Sequence, residues 1–256
     1  MTTFDSKVCV VTGGASGIGK ATATHLAREG GLVVLADLAD ASDLAAEIGG
    51  TYVHTDTSDA ASVRNLMTHA VSLHGRIDVL VNNAGITDEA EIDQIEEAAF
   101  RRQIDVNAYG VLLGMKYGAR AMPSGAAIVN TASIAAKLGA NGYGSYAASK
   151  AAVISLTQVA AIEYGPRSIR VNCICPSSVE TPMLQAQENG HIERELTKLA
   201  SPLGATITAE QVADVIAFLA SPASSAITGQ AVNVDGGMSA GFSNQLIAAS
   251  LSSLEG

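Results

Sequence analysis

Residues 8–20 read Val8-Cys9-Val10-Val11-Thr12-Gly13-Gly14-Ala15-Ser16-Gly17-Ile18-Gly19-Lys20, a β-branched run that turns through glycines straight into a helix-forming segment. Glycine at 13, 17 and 19 permits positive φ and close approach of backbone to a ligand. The following helix presents free N–H groups and the positive end of its dipole to an anion. A turn of this kind is a pyrophosphate cradle or a tight strand–helix connection. The second hydrophobic run ends in Asp37, eighteen positions past Gly19, near the offset of about 20 residues at which an acidic side chain meets the adenosine ribose. A carboxylate there accepts from a free 2′-hydroxyl and repels a 2′-phosphate, and the next residue is Leu38 rather than arginine, so the pattern favours NAD over NADP. The bland alternative for Asp37 is a solvated residue capping the next helix. Residues 14–20 also fit the G-x-x-x-x-G-K phosphate loop of nucleotide triphosphatases. That match fails at Ala21, where a hydroxyl should reach Mg²⁺, and the triphosphatase stays as a minor alternative.

Short β-branched runs at Lys7–Thr12, Leu32–Ala36, Thr51–His54, Ile77–Asn82, Ala126–Thr131, Ile169–Cys175 and Gln230–Val234 alternate with helical segments. These are Ile18–Glu29, Ala60–His74, Ala98–Ala121, Tyr146–Tyr164 and Ala209–Ala220, with a weaker one at Ser42–Ile48. That alternation predicts an α/β fold: one doubly wound (Rossmann) parallel sheet of about seven strands with helices on both faces, spanning 1–256 as a single domain. Residues 177–206 interrupt it with Pro182 and Pro202 around a helical stretch at His191–Leu199, and are expected to form a substrate-side lid. The tail, 238–256, has no evident role.

A hydrophobic content of 48% against 16% charged residues provides a large core, and a formal charge of −10 disfavours nucleic acid and anionic membrane surfaces as partners. No apolar run approaches the roughly 20 residues that span a bilayer, and Met1–Lys7 carries no basic leader. With only Cys9, Cys173 and Cys175, an odd number in a long chain, a cytoplasmic location is expected. The five histidines lack metal-ligand spacing, Cys173 and Cys175 read as small buried hydrophobes, and no G-x-S-x-G elbow exists, so neither a metal site nor a serine hydrolase is expected.

The remaining chemistry lies in Ser133, at the end of the fifth strand, and in Tyr146 and Lys150, four apart on one helix face. An ammonium beside a phenol favours phenolate, and so would pull the hydroxyl down from its usual value of about 10 toward the range of a general base. Together with the cradle, these residues make the chain resemble the short-chain dehydrogenase/reductase family from Lys7 to Gly237, with the motifs in family order. The resemblance implies a cofactor turn at Thr12, Gly13, Ser16, Gly17, Ile18 and Gly19, and an adenine-side acid at Asp56 followed by Thr57. It implies further cofactor contacts from Asn83, Ala84 and Gly85, and from Pro176, Val179 and Thr181. It also implies catalytic roles for Asn107, Ser133, Tyr146 and Lys150, with the last two touching the cofactor as well. Ser177 stands where relatives usually carry glycine, which puts the local backbone in question.

By the same analogy the substrate pocket is bounded by Ser133, Ala135, the 137–143 loop including Leu138 and Tyr143, and the mobile segment from Thr181 through Leu199, which includes Met183 and Leu184. This mostly apolar set suits a small uncharged alicyclic, aromatic or aliphatic secondary alcohol and its ketone. Lys137 and His191 are the residues that would instead receive an acidic group. A non-catalytic dinucleotide sensor or scaffold is the alternative from another class, disfavoured because it has no use for Ser133, Tyr146 and Lys150 together. Relatives are commonly homotetramers, and the same assembly is expected here.

Overall fold

The computed structural model describes residues 3–187 and 189–252. The first half of the chain runs β1 (Val8–Thr12), α1 (Gly17–Arg28), β2 (Leu32–Asp37), α2 (Ser42–Glu47), β3 (Thr51–His54), α3 (Ala60–His74) and β4 (Val79–Asn82). It continues through α4 (Glu97–Ile104), α5 (Gly110–Gly118), β5 (Ala127–Thr131), α6 (Gly144–Tyr164) and β6 (Arg170–Pro176). The last part comprises β7 (Val179–Glu180), α7 (Pro182–Ala186), α8 (Gly190–Ala200), β8 (Ile207–Thr208), α9 (Ala209–Ala220), β9 (Ala231–Val234) and α10 (Asn244–Ser252). Seven strands form one all-parallel sheet in the order β3-β2-β1-β4-β5-β6-β9. This is the expected doubly wound fold.

Two-residue periodicity sorts the strand side chains between two cores. Val10, Val34, Leu80 and Ile128 pack with Leu66 of α3, Val111 of α5 and Val153 of α6. Cys9, Val11, Leu35 and Val129 pack with Leu26 of α1, Leu44 of α2 and Ile216 of α9 on the other face. Both faces being covered, the strands are mostly apolar, with buried polar residues such as Asn82, Asn130 and Asn172 hydrogen-bonded within the core. Local signals set the helix ends. The Asp59 carboxylate caps α3 through Ser62 N at 2.8 Å, Gly75 closes it at φ +80°, and Thr208 and Gln211 form a reciprocal capping box on α9.

The helix expected over Ala98–Ala121 is not uniform. Between α4 and α5 the chain makes a wide π turn over Asp105–Tyr109, and a 3₁₀ turn ends the segment at Ala119–Ala121. The extra residue re-aims the side chains around Asn107, which is fully buried beneath the loop that follows β4. Gly114 then lets α5 lie directly on Asn82, where a Cβ would meet the Asn82 Oδ1 at 2.0 Å.

The two ends of the 177–206 excursion are held together by a parallel ladder, separate from the main sheet, that pairs Val179 with Ile207 and Glu180 with Thr208. Arg194 of α8 pairs with Glu180 at 2.9 Å, and Thr206 donates to the same carboxylate at 3.1 Å. The tail now has a contact: Ser243 donates to the Leu199 carbonyl, seating α10 beside α8.

Candidate active site

The strand order reverses between β1 and β4, so the loops leaving their carboxyl ends diverge and open a crevice. Gly13 and Gly17 lie in the left-handed region at φ +65° and +52°. A Cβ on Gly13 would meet the Ala84 Cα at 2.8 Å, and one on Gly19 would meet the Gly13 carbonyl oxygen at 1.9 Å. The turn and the Asn83-Ala84-Gly85 loop are therefore in backbone contact. Asn83 locks them by donating from Nδ2 to the carbonyls of Thr12 at 3.2 Å and Gly13 at 3.3 Å. The Thr12 hydroxyl accepts from the Asn83 and Ala84 backbone at 3.0 and 3.1 Å. Ser16 precedes α1 in extended conformation without capping it, and across the crevice Gly17 leaves room for Thr181, whose Cγ2 would lie 3.0 Å from an added Cβ.

Asp37 ends β2 at the rim, where its carboxylate accepts from Ala15 N and Ala39 N, each at 3.0 Å. It thus braces the glycine turn while remaining partly exposed, beside a Leu38 that is 60% exposed. Asp56 accepts from the Ser58 backbone and hydroxyl at 2.9 and 2.6 Å, and the buried Thr57 packs under Gly110.

Ser133 lies at the end of β5, and Tyr146 and Lys150 share one face of α6 beside it. Lys150 is buried and donates to the Thr131 carbonyl at 2.8 Å, with its Nζ 5.6 Å from the Tyr146 ring centroid. Burial pushes its ammonium down to about 8. For Tyr146 the strongest influence is also burial, which pushes the phenol up to about 12; the Ser133 hydroxyl pulls it down by hydrogen bonding, and the Glu193 carboxylate raises it. The lowering expected from Lys150 is therefore not what dominates here: desolvation disfavours the phenolate and the ammonium alike. Asn107 donates to the Ile86 carbonyl at 2.9 Å and Ser149 Oγ at 3.0 Å, and accepts from Ile86 N at 2.8 Å. It braces the loop whose Gly85 lies against Lys150.

Ser133 and Tyr146 border a cavity of about 790 Å³. Ser133, Ala135, Leu138, Tyr143, Tyr146, Thr181, Met183 and Leu184 line it, together with Pro176 and Val179, which were expected as cofactor contacts. Lys137 and His191 do not. Lys137 turns to β9, donating to the Ala231 carbonyl at 2.8 Å and Asn233 Oδ1 at 2.5 Å, and His191 is exposed on α8. Ser177 has no positive φ, so serine replaces glycine without strain; its Oγ, like Thr87 Oγ1, is buried at the cavity with no protein partner. Among the lining residues not singled out from sequence are Glu89 and Glu91, from the loop after β4; Glu193 of α8 lies within the anticipated 181–199 segment, but its side chain was not singled out. Among the described residues no group of three His, Cys, Asp or Glu side chains is arranged to hold a metal ion.

A glycine cradle at the switch point, an acidic rim on β2 and a hydroxyl–phenol–ammonium set beside one cavity define a single-domain dinucleotide oxidoreductase. A family model described as enoyl-(acyl carrier protein) reductase matches residues 13–239. The chain is 39% identical over 242 residues to the mitochondrial borneol dehydrogenase of Lavandula x intermedia, covering 92% of each. It is 40% identical over 246 residues to the cis-4-hydroxycyclohexanecarboxylate dehydrogenase of Sinomonas cyclohexanicum, covering 93% of this chain and 98% of that one. The crystal structure of levodione reductase superposes with a TM-score of 0.88 at 33% identity, over 93% of this chain and all of that one. The chain belongs to the short-chain dehydrogenase/reductase family. It is accordingly an oxidoreductase of a family that acts on alcohols with a nicotinamide dinucleotide. No helix among the described residues is long and apolar enough to cross a membrane.

Proposed function

We propose that this chain is an NAD-dependent dehydrogenase that interconverts a small uncharged alicyclic, aromatic or aliphatic secondary alcohol and its ketone, with Tyr146 as general acid/base. The observation that carries this reading is the convergence of Ser133 and Tyr146 on a mostly apolar cavity beside the glycine cradle, with Lys150 packed behind Tyr146. The cradle fits a dinucleotide: the glycines let the turn pack tightly against the β4 loop and Thr181 ahead of the α1 N-terminus, which offers free N–H groups to a pyrophosphate, and the unpartnered Ser177 Oγ offers a polar contact at the cavity. Gly13, Ser16, Gly17, Ile18 and Gly19 would hold the phosphates, Asp37 the adenosine ribose, and Leu38, Asp56 and Thr57 the adenine end. Asn83, Ala84, Gly85, Lys150, Pro176, Val179 and Thr181 would hold the nicotinamide half. Asp37 with Leu38 supports NAD, because a carboxylate repels a 2′-phosphate and no arginine follows to bind one.

The chemistry supplied by the bound dinucleotide is acceptance or return of a hydride at the nicotinamide ring. Tyr146 Oη takes the hydroxyl proton of the alcohol, or gives it to the ketone oxygen in reduction. Ser133 Oγ steadies that oxygen. Lys150 opposes the effect of burial on Tyr146 only when charged, and Thr131 fixes its position. Asn107 keeps the β4 loop in register with Lys150.

The three buried, unpaired cysteines support a reducing, cytoplasmic setting. Exposed apolar side chains on α4, the π turn, α5 and α6, such as Phe100, Tyr109, Leu112 and Ile162, support pairing of subunits into a homotetramer, which light scattering would measure. The functional reading is tested by a panel of secondary alcohols and ketones assayed separately with NAD and NADP. Turnover of borneol- or cyclohexanol-like alcohols with NAD is expected. No turnover with any member, or turnover with NADP alone, refutes it.

A further inference from the structure

The cavity carries an unbalanced charge. Three glutamates, Glu89, Glu91 and Glu193, line it, and among the described residues no lysine, arginine or histidine does. Cations of neighbouring segments are engaged elsewhere: Lys137 with β9, Arg194 with Glu180, and Lys150 with the Thr131 carbonyl. Glu193 is fixed rather than mobile. Its Oε2 accepts from the Tyr143 hydroxyl at 2.7 Å, and its Oε1 accepts from the Ser178 hydroxyl at 2.5 Å, which in turn receives Thr197 Oγ1 at 2.8 Å. Tyr143 stands edge-on to Tyr146 with ring centroids 6.0 Å apart, so the carboxylate is held one aromatic ring from the proposed base. Both its partners are neutral, and no cation among the described residues pairs with it.

We infer that Glu193 is a specificity-determining residue: its fixed, unpaired carboxylate on the cavity wall excludes alcohols that bear a carboxylate or phosphate, and admits neutral or ammonium-bearing ones. The physical reason is like-charge repulsion in a partly desolvated cavity with no basic side chain to offset it. This rests on the alcohol–ketone reading above.

The test uses the NAD-loaded enzyme with three alcohols of similar size: cyclohexanol, 4-hydroxycyclohexanecarboxylate and 4-aminocyclohexanol. For the wild type, kcat/KM for the carboxylate is expected to lie about tenfold or more below that for cyclohexanol, with the amine not disfavoured. Glu193→Gln should raise the carboxylate-to-cyclohexanol ratio by about tenfold, and Glu193→Asp, which keeps the charge, should leave the ratio low. A wild-type ratio near or above one, or a ratio unmoved by Glu193→Gln, overturns the inference. Calorimetric titration of the same proteins with cyclohexanecarboxylate and cyclohexanol reads the filter without turnover. Weak carboxylate binding that Glu193→Gln relieves supports it, and equal binding refutes it. Failure to oxidise any of the alcohols would instead refute the proposed function, so the two failures are distinguishable.

Discussion

A buried ammonium is a thermodynamic burden that a structure carries for its chemistry, and Lys150 allows this to be weighed. Lys150 is 2% exposed, and its ammonium is pushed from an ordinary lysine value of 10.5 down to about 8. At ~1.4 kcal/mol per tenfold change in proton affinity, holding the charged form inside costs about 3 kcal/mol near neutral pH. Replacing it by Met, of similar length and no charge, removes that cost. The change also strands the Thr131 carbonyl that Lys150 Nζ now contacts at 2.8 Å, a loss of about 1–2 kcal/mol. Lys150→Met should therefore stabilise the fold at pH 7 by about 1–2 kcal/mol, a rise in Tm of about 4 °C for a chain of this size, while turnover is lost. The pH dependence carries the sign. Because the folded value lies below the unfolded one, the wild type holds the proton in both states below pH 8 and bears the full cost. As pH rises toward 10.5 the folded lysine gives up its proton before the unfolded one, and the wild type gains on the variant. The advantage of the variant should shrink by about 2 kcal/mol between pH 7 and pH 9.5. Urea denaturation of both proteins at these pH values measures it. A variant less stable than wild type at pH 7, or a difference independent of pH, would refute the reasoning.

Tyr146→Phe keeps the ring and removes the hydroxyl, so turnover should fall about 10³-fold while NADH affinity, read by fluorescence titration, is retained; near-normal turnover would unseat Tyr146 as the base. Asp37→Ser removes the acceptor for Ala15 N and for a ribose hydroxyl, and should weaken NAD binding about tenfold while improving NADP binding; unchanged selectivity would show that the rim does not read the ribose. Gly19→Ala would force a methyl to within 1.9 Å of the Gly13 carbonyl, destabilising the turn by about 3 kcal/mol and abolishing cofactor binding; a folded variant that binds NAD normally would contradict the packing described.

Period and spacing determined much of this protein. The alternation of β-branched runs with Ala- and Leu-rich segments made the parallel sheet legible, because burial on both faces leaves a signature in consecutive residues. The glycines at 13, 17 and 19, and the four-residue offset of Tyr146 and Lys150, are local patterns visible in consecutive residues, although the contacts of Gly13 with Ala84 and of Gly17 with Thr181 come only with the fold. The π turn at Asp105–Tyr109 was not legible: helix propensity is the same on either side, and the bulge exists because Asn107 must reach Ile86 and Ser149 from other elements. Nor could spacing tell that Lys137 turns to β9 while Glu193 turns inward, since both are charged residues in irregular or lid segments. The direction of the Tyr146 and Lys150 shifts likewise depends on how much protein surrounds them, a quantity that exists only once the sheet, α6 and the lid have come together. Sequence thus supplied the reacting groups and the cradle, and tertiary packing decided their solvation, their partners and the charge of the space they face, because desolvation and through-space contact are properties of neighbours far apart in the chain.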